Sequence, residues 1–185
     1  YRYFRMKGSM DLIALIGEST CGKSTIQKEL LSFGYEALVL VTTRPRREGE
    51  VSGKDYVYIS KEEFASRWEK GEFLSVGEYN GWYYGVAKEL CADNCVVVLT
   101  PRMLREFKKK FENIVSFYIK VPRRDRLIKA LHTRSNIEEI KRRDASDVGQ
   151  YDGIEDEVDY VIENEGYHRS AAAIAQWIDL VMNGE

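Results

Sequence analysis

The sequence predicts an α/β fold in which a mostly parallel sheet carries helices on both faces. Three observations predict it. Short apolar runs, typical of buried strands, alternate with longer segments whose apolar residues recur at helical spacing. The first run, LIALI at 12–16, leads through a glycine-rich loop into a helical segment. A stretch of short alternating strands at 42–86 breaks this rhythm and predicts a small additional lobe.

The main sheet is predicted from apolar runs that end at glycine or polar residues. These runs are LIALI at 12–16, ALVLV at 37–41, CVVVLT at 95–100, IVSFYIKV at 114–121 and VDYVI at 158–162. Because CVVVLT is apolar up to its final Thr, we expect it to be a central strand. The predicted helices of the core are 23–33, 101–111, 123–133, 137–146 and 168–182, the last strongly amphipathic.

Segment 42–86 predicts a small lobe of mixed short strands attached to the main sheet. Its elements are a strand at 56–59, a helix at 61–71 and an alternating stretch at 72–86. Ser60 precedes the helix and Glu63 is its third residue, which is the spacing of a capping box. Asn80-Gly81 divides the alternating stretch and is typical of a β-hairpin turn.

Composition indicates one domain and few classes of partner. The 185 residues suffice for a single core, and 28 basic against 30 acidic residues leave a net charge of −2. We therefore expect no nucleic acid and no membrane as partner, and no apolar run approaches the roughly 20 residues of a membrane span. Three cysteines and two histidines argue against a zinc site and indicate a reduced, cytoplasmic setting. A monomer and a homodimer both fit these observations.

A candidate phosphate site lies in GESTCGKST at 17–25, directly after the first predicted strand. It keeps the G-x4-G-K-S pattern of a P-loop, so the fold is predicted to be of P-loop NTPase type. In such a loop, backbone N–H groups and a helix N-terminus hold phosphate, the Lys reaches the terminal phosphates and the Ser hydroxyl binds Mg2+. The predicted ATP-binding residues are Gly17, Glu18, Ser19, Thr20, Cys21, Gly22, Lys23, Ser24 and Thr25, with Ser24 as the Mg2+ ligand.

The P-loop alone does not decide the reaction, because kinases, GTPases, motors and transporters share it. A GTPase would need a base-recognition motif such as N-K-x-D, which the sequence lacks. A glycine turn whose Lys23 faces solvent is the structural alternative.

Two further segments carry a family resemblance. TTRPRREGEVSGKDY at 42–56 keeps T-T-R-x-x-R-x-G-E-x-x-G-x-D-Y, and GWYYG at 81–85 keeps G-x-Y-Y-G. With the P-loop, these motifs resemble the guanylate kinase family from Gly17 to VIEN at 161–164. The resemblance implies an ATP- and Mg2+-dependent enzyme that transfers the γ-phosphoryl group to a nucleoside or deoxynucleoside monophosphate, with GMP as the default acceptor. Small-molecule nucleotides are then the partners.

The resemblance also implies roles for individual residues. Two arginines three apart, with tyrosine hydroxyls nearby, suit a phosphate dianion. By the resemblance, the acceptor phosphate is expected to be held by Arg44, Arg47, Tyr56 and Tyr84, and we call these four residues the acceptor fork. HTRSNIEEIKRRD at 132–144 places arginines where the family has a mobile lid. The expected catalytic residues are Lys23, Arg134 and Arg143, with Arg142 as the alternative to Arg143. Asn164 matches an Asn beside the donor adenine, and a structural role for it is equally open.

The sequence departs from the family at the positions that read guanine. Leu40 stands in place of a Ser, Ser75 in place of a Glu and Val86 in place of a Ser or Thr. The D-x-D at the end of the central strand is VLT, 98–100. Ser75 and Thr100 are still expected on the acceptor side, and Glu78 is a candidate substitute for the missing Glu. Two alternatives therefore stay open: a kinase for another or broader monophosphate or a phosphorylated sugar, and a catalytically inactive binding module.

The resemblance predicts how the chain is divided. Residues 1–9, YRYFRMKGS, are expected to be an expression arm before a natural start at Met10, a native arm being the alternative. The guanylate-kinase-like domain is then 10–185. Its predicted parts are a core at 10–41 and 87–185, a nucleotide-monophosphate-binding lobe at 42–86 and a lid at about 134–146.

Overall fold

A parallel five-stranded sheet forms the core of the computed structural model, which describes residues 12–47, 49–79, 81–88, 94–111, 113–133 and 136–184. The strands of the chain are β1 (Leu12–Ile16), β2 (Glu36–Ala37), β3 (Val41–Thr42), β4 (Val57–Tyr58), β5 (Phe73–Tyr79), β6 (Trp82–Ala87), β7 (Cys95–Val98), β8 (Ile114–Lys120) and β9 (Tyr160–Glu163). The main sheet has the order β2-β7-β1-β8-β9, and all its pairs are parallel. The expectation from strand–helix alternation is confirmed.

Helices cover both faces of this sheet. The α-helices of the described residues are α1 (Lys23–Ser32), α2 (Lys61–Glu69), α3 (Pro101–Lys108), α4 (Arg123–Thr133), α5 (Ile137–Asp147) and α6 (Ala171–Asn183). Helices α1 and α6 pack with Ile13 and Leu15 of β1, whereas α3 packs with Leu12 and Ala14 on the opposite face. Because alternate β1 residues enter different clusters, every residue of this strand is buried.

One prediction about the main sheet needs correction. The run ALVLV at 37–41 is not one strand, because Ala37 pairs with β7 and Val41 pairs in a second sheet. The run is apolar because Leu38 and Leu40 are buried where the chain crosses between the two sheets. The prediction that CVVVLT supplies a central strand is confirmed, because β7 lies between β2 and β1, and the strand ends at Val98.

A second sheet of four strands forms the predicted small lobe, in the order β4-β3-β6-β5. Strands β3 and β4 are parallel, and β6 is antiparallel to both β3 and β5, so the sheet is mixed. The Ser60 hydroxyl accepts the Glu63 N–H at 3.0 Å and caps α2, as its spacing predicts. In the β5–β6 turn Gly81 has a φ of +73°, and Asn80 lies outside the described residues.

The small lobe predicted at 42–86 corresponds to the second sheet. The strands of the second sheet span Val41 to Ala87, and the bounds of core, lobe and lid stay predictions. Residues 1–9 and Met10 lie outside the described ranges. None of the helices in the described ranges has the length and apolar character required to cross a membrane.

Candidate functional site

A cavity of about 170 Å³ lies where the P-loop, the second sheet and helix α5 meet. The P-loop contributes Gly17, Ser19 and Lys23 to its wall. All four residues of the acceptor fork line the same cavity, together with Arg142 and Arg143 of α5. The structure thus brings together side chains from three segments that are far apart in sequence.

Position 17 of the P-loop requires glycine because there is no space for a side chain. A Cβ atom there would lie 2.6 Å from the Cys21 Sγ and 2.8 Å from the Ile119 carbonyl oxygen, closer than such contacts allow. At Gly22 the space is open but φ is +107°, a left-handed conformation that glycine adopts without strain. Gly22 caps the N-terminus of α1, so the loop leads directly into a helix start that favours anions.

Lys23 crosses the P-loop from the first turn of α1. Its Nζ donates to the carbonyl oxygens of Gly17 at 2.5 Å and Glu18 at 2.9 Å, while the side chain lines the cavity. The Lys23 side chain is therefore held within the loop, which disagrees with the alternative of a glycine turn whose lysine faces solvent. Ser24 and Thr25 are exposed on the same turn, where a hydroxyl can reach a metal ion beside a bound phosphate chain.

Polar side chains from distant segments hold the P-loop in place. The Ser19 N–H donates to the Asp147 Oδ2 at 2.8 Å. Arg126 lies 3.6 Å from that carboxylate and 3.7 Å from Glu18, and its own side chain is 8% exposed. Tyr151 donates its hydroxyl to the Gly17 carbonyl oxygen at 2.8 Å. None of these partners was predicted, because they lie about 100 residues or more from the loop and carry no recognisable spacing.

Arg44 of the acceptor fork is buried and fully oriented by its neighbours. It is 6% exposed, and its guanidinium donates to the Glu50 Oε1 and to the Pro45 carbonyl oxygen, both at 2.8 Å. The same group lies 5.2 Å from the ring centre of Tyr56 and 5.6 Å from that of Tyr58. A guanidinium held on these sides is preorganised for an anion in the cavity.

Glu50 joins the two arginines of the acceptor fork. Besides Arg44, it accepts the backbone N–H of Arg47 at 2.8 Å and the Tyr58 hydroxyl at 2.7 Å. Burial acts to raise the pKa of Glu50, but the hydrogen bonds from Arg44, Arg47 and Tyr58 lower this pKa to about 2. The sequence motif contains Glu50 without indicating this role.

Positive charge accumulates around Arg47. Burial together with the nearby Arg143 and Arg44 lowers the pKa of the Arg47 guanidinium. Burial, followed by the neighbouring Tyr84, raises the pKa of Tyr56 to about 12, so its hydroxyl stays protonated and able to donate. This combination of cations and hydroxyl donors is suited to a dianion.

The arginines of α5 are held by a carboxylate on the same helix. Glu139 accepts the Arg143 Nε at 2.6 Å and the Arg142 Nε at 2.9 Å, and its Oε1 lies 3.7 Å from the Arg47 Nη2. Arg142 and Arg143 both line the cavity, whereas Arg134 lies outside the described residues. The choice between Arg142 and Arg143 as the catalytic residue therefore stays open.

Comparisons with known proteins show which family this chain belongs to. The family model described as guanylate kinase matches residues 9–180.

The chain belongs to the guanylate kinase family.

Individual members of the guanylate kinase family align over most of the chain. The guanylate kinase of Symbiobacterium thermophilum is 34% identical over 175 residues, covering 88% of this chain and 82% of that protein. The one from Rubrobacter xylanophilus is 30% identical, covering 94% and 95% respectively. A crystal structure of guanylate kinase from Anaplasma phagocytophilum, at 26% identity, covers 95% of this chain and 86% of its own with a TM-score of 0.70. These similarities confirm the resemblance and the P-loop NTPase fold.

The positions where this sequence departs from the guanylate kinase pattern are differently placed. Leu40 lines the cavity, whereas Ser75 on β5 and Val86 on β6 are buried and do not line it. Thr100 lines the cavity and its hydroxyl accepts the Met103 N–H at 3.3 Å, which caps α3. Thr100 is thus placed at the cavity and Ser75 is not, and the predicted acceptor contacts of both residues stay predictions.

Two further predicted residues lie away from this cavity. Asn164 is buried, and its side-chain amide donates to the Arg169 carbonyl oxygen at 3.1 Å and accepts the Arg169 N–H at 2.9 Å. These bonds favour the structural role for Asn164 over a contact with adenine. Glu78, the candidate substitute for the missing Glu, is exposed and lines an adjoining cavity that shares Tyr79 and Thr100 with the first.

Proposed function

We propose that this protein is an ATP-dependent nucleoside monophosphate kinase that uses GMP as its default acceptor. The single observation that carries the proposal is the shared cavity, which is lined by Lys23 of the P-loop and by all four residues of the acceptor fork. A donor phosphate on the loop and an acceptor phosphate on the fork would then meet within one cavity. Holding two reactants in this way is the main requirement of phosphoryl transfer.

The donor side is formed by the P-loop and α1. Backbone N–H groups of the loop and the N-terminus of α1 would bind the phosphate oxygens of ATP. Lys23 would exchange its carbonyl partners, Gly17 and Glu18, for the terminal phosphates. The Lys23 ammonium would then donate to negatively charged phosphate oxygens instead of neutral carbonyl oxygens, so each hydrogen bond would be stronger.

The chemistry of the donor set fits Mg2+ bound mainly by phosphate and water. Ser24 is exposed at the first turn of α1, and within the described ranges no three acidic, histidine or cysteine side chains form a group that could hold a metal. Mg2+ usually keeps several waters and takes few protein ligands beside nucleotide phosphates. Bound there through Ser24, it would neutralise charge on the phosphate chain.

The acceptor side is formed by the acceptor fork. The buried Arg44 and the partly exposed Arg47 would pair with the acceptor phosphate, and Tyr56 and Tyr84 would donate hydroxyl hydrogen bonds. Arg143 or Arg142 would leave Glu139 to stabilise charge on the transferred phosphoryl group. The attacking group is a phosphate oxygen, already ionised at neutral pH, so no general base is required.

Charge and composition support the remaining assignments. With a net charge of −2 and small anionic ligands as substrates, we propose nucleotides as the partners, with no nucleic acid and no membrane involved. The cytoplasm is the proposed location, and a monomer or homodimer the proposed assembly. We also propose that the domain consists of a core at 10–41 and 87–185, an acceptor-binding lobe at 42–86 and a lid near 134–146.

An ADP-release assay tests the proposal. With ATP and Mg2+, wild-type protein should release ADP only when an acceptor is present, and a panel of nucleoside and deoxynucleoside monophosphates should include GMP as a substrate. Lys23→Ala should abolish turnover with an unchanged circular dichroism spectrum. Lys28→Ala, on the exposed side of the same helix, is the matched control. Turnover of Lys23→Ala at the wild-type rate, or ATP binding without turnover of any acceptor, would contradict the proposal; the latter would favour the inactive binding module.

A further inference from the structure

Helix α5 presents two carboxylates to the groups that the proposed function assigns to phosphate. Glu139, Arg143 and Asp147 follow one another at intervals of four residues, so they lie along one side of the helix. Glu139 contacts the acceptor fork and Asp147 contacts the P-loop. The two ends of this helical face therefore reach the two proposed phosphate sites.

Asp147 accepts a hydrogen bond from the backbone of the P-loop, the proposed donor-phosphate site. Its Oδ2 takes the Ser19 N–H at 2.8 Å, and its side chain is 5% exposed within the lining of the cavity. The Arg126 guanidinium lies 3.6 Å from the same carboxylate and adds a positive charge. A backbone N–H of a P-loop and a nearby guanidinium are donors typical of anion sites, and here an internal carboxylate uses them.

Glu139 gathers three arginines as a phosphate would. Its Oε1 accepts the Arg143 Nε at 2.6 Å and lies 3.7 Å from the Arg47 Nη2, and both its oxygens accept from Arg142. A guanidinium can donate two parallel N–H bonds to two oxygens of either a carboxylate or a phosphate. Hydrogen bonds from Arg142 and Arg143, opposed by burial, lower the pKa of Glu139 to about 2, so the group is ionised at neutral pH.

We propose that Glu139 and Asp147 act as internal phosphate mimics that occupy the two phosphate sites of the nucleotide-free protein. The inference rests on the proposed function for the identity of those sites. A carboxylate and a phosphate have the same sign of charge, so they repel at close range and cannot share these donors without cost. Binding of ATP displaces Asp147 from the Ser19 N–H, and binding of the acceptor displaces Glu139 from the arginines.

This exchange has two consequences for the protein. The arginines and the P-loop stay assembled in the absence of nucleotide, because each positive group has a partner. A ligand must also provide enough contacts to replace an internal carboxylate, so small anions such as inorganic phosphate compete poorly. The device lowers affinity for both substrates and raises selectivity for whole nucleotides.

Calorimetric titrations of three variants test the proposal. The variants are Asp147→Asn, Glu139→Gln and, as matched control, Glu138→Gln, whose carboxylate is 81% exposed and pairs with Lys141. The probes are ATP with Mg2+ and no acceptor, GMP alone, and tripolyphosphate. Asp147→Asn should lower the Kd for ATP and for tripolyphosphate about tenfold, which corresponds to about 1.4 kcal/mol. Glu139→Gln should lower the Kd for GMP by a similar factor, and Glu138→Gln should match the wild type.

The direction of the change separates displacement from structural damage. A variant that merely distorts the site would bind more weakly, so tighter binding is specific to removal of a competitor. If Asp147→Asn does not fold, Asp147→Ser removes the same charge with a smaller side chain. Wild-type protein that binds ATP, with variants that bind equally or more weakly, would overturn the inference alone. Absence of ATP binding by the wild type and every variant would overturn the proposed function and the inference with it.

Discussion

Replacing Glu50 by Gln tests how the acceptor fork is held. The carboxylate accepts Arg44 at one oxygen, and the Arg47 N–H and the Tyr58 hydroxyl at the other, all within 2.8 Å. An amide has only one acceptor oxygen, so its NH2 group must face one of these donors. At least one hydrogen bond to a charged group is lost, and such bonds contribute on the order of 1.5–3 kcal/mol.

The expected result is a selective loss of acceptor affinity. Since tenfold in affinity corresponds to about 1.4 kcal/mol, the acceptor KM of Glu50→Gln should rise about ten- to a hundredfold. The ATP KM should change little, because Glu50 contacts Arg44, Arg47 and Tyr58 and does not contact the P-loop. The assay is ADP release, with each substrate varied in turn at saturating concentration of the other.

Two controls make the result interpretable. Glu157→Gln removes a charge from another carboxylate, which pairs with Arg105 at 2.6 Å outside the cavity lining, and should leave both KM values unchanged. Tyr58→Phe removes one donor but keeps the Arg44 bond, so its effect should be smaller. Equal weakening of ATP and acceptor by Glu50→Gln, or no weakening of the acceptor, would refute this reasoning.

The remaining predictions concern stability, specificity and motion. The pKa of Glu50 is lowered to about 2 from 4.5, so its contribution to the free energy of unfolding is present above pH 4.5 and lost as pH falls toward 2; in urea titrations Glu50→Gln should show a smaller loss over this interval, and an equal loss would contradict the assignment. Gly17→Ala should lower the free energy of unfolding by about 1–3 kcal/mol, because its Cβ would overlap the Ile119 carbonyl oxygen; an unchanged urea midpoint would disagree. Since Leu40 lines the cavity and Ser75 does not, kcat/KM for GMP should exceed that for other monophosphates by about tenfold or less, and a preference of about a thousandfold would show that other groups read the base. Small-angle scattering should show a smaller radius of gyration with both nucleotides bound, and an unchanged radius would argue against closure of the lobe and lid.

Local patterns in the sequence were sufficient wherever neighbouring residues determine the structure. The strand–loop–helix unit at Gly17, the cap at Ser60 and the β5–β6 hairpin were all predicted, because each depends on contacts within a few residues. The P-loop and the acceptor fork were likewise visible as short motifs. Their meeting in one cavity depends on tertiary packing, because the P-loop follows β1 of the parallel sheet and the acceptor fork belongs to the second, mixed sheet and its loops.

Only the tertiary structure decided which distant groups neutralise these motifs. The run ALVLV divides between two sheets. Its apolar residues indicate that it is buried, but burial does not specify which strand each residue pairs with. The contact between Ser19 and Asp147 joins residues 128 positions apart, and no periodicity links them. Charged pairs such as Arg47 with Glu139 depend on the relative placement of a loop and a helix. The sequence by itself therefore determined the phosphate-binding motifs, and the packing of α5 determined the carboxylates that face them.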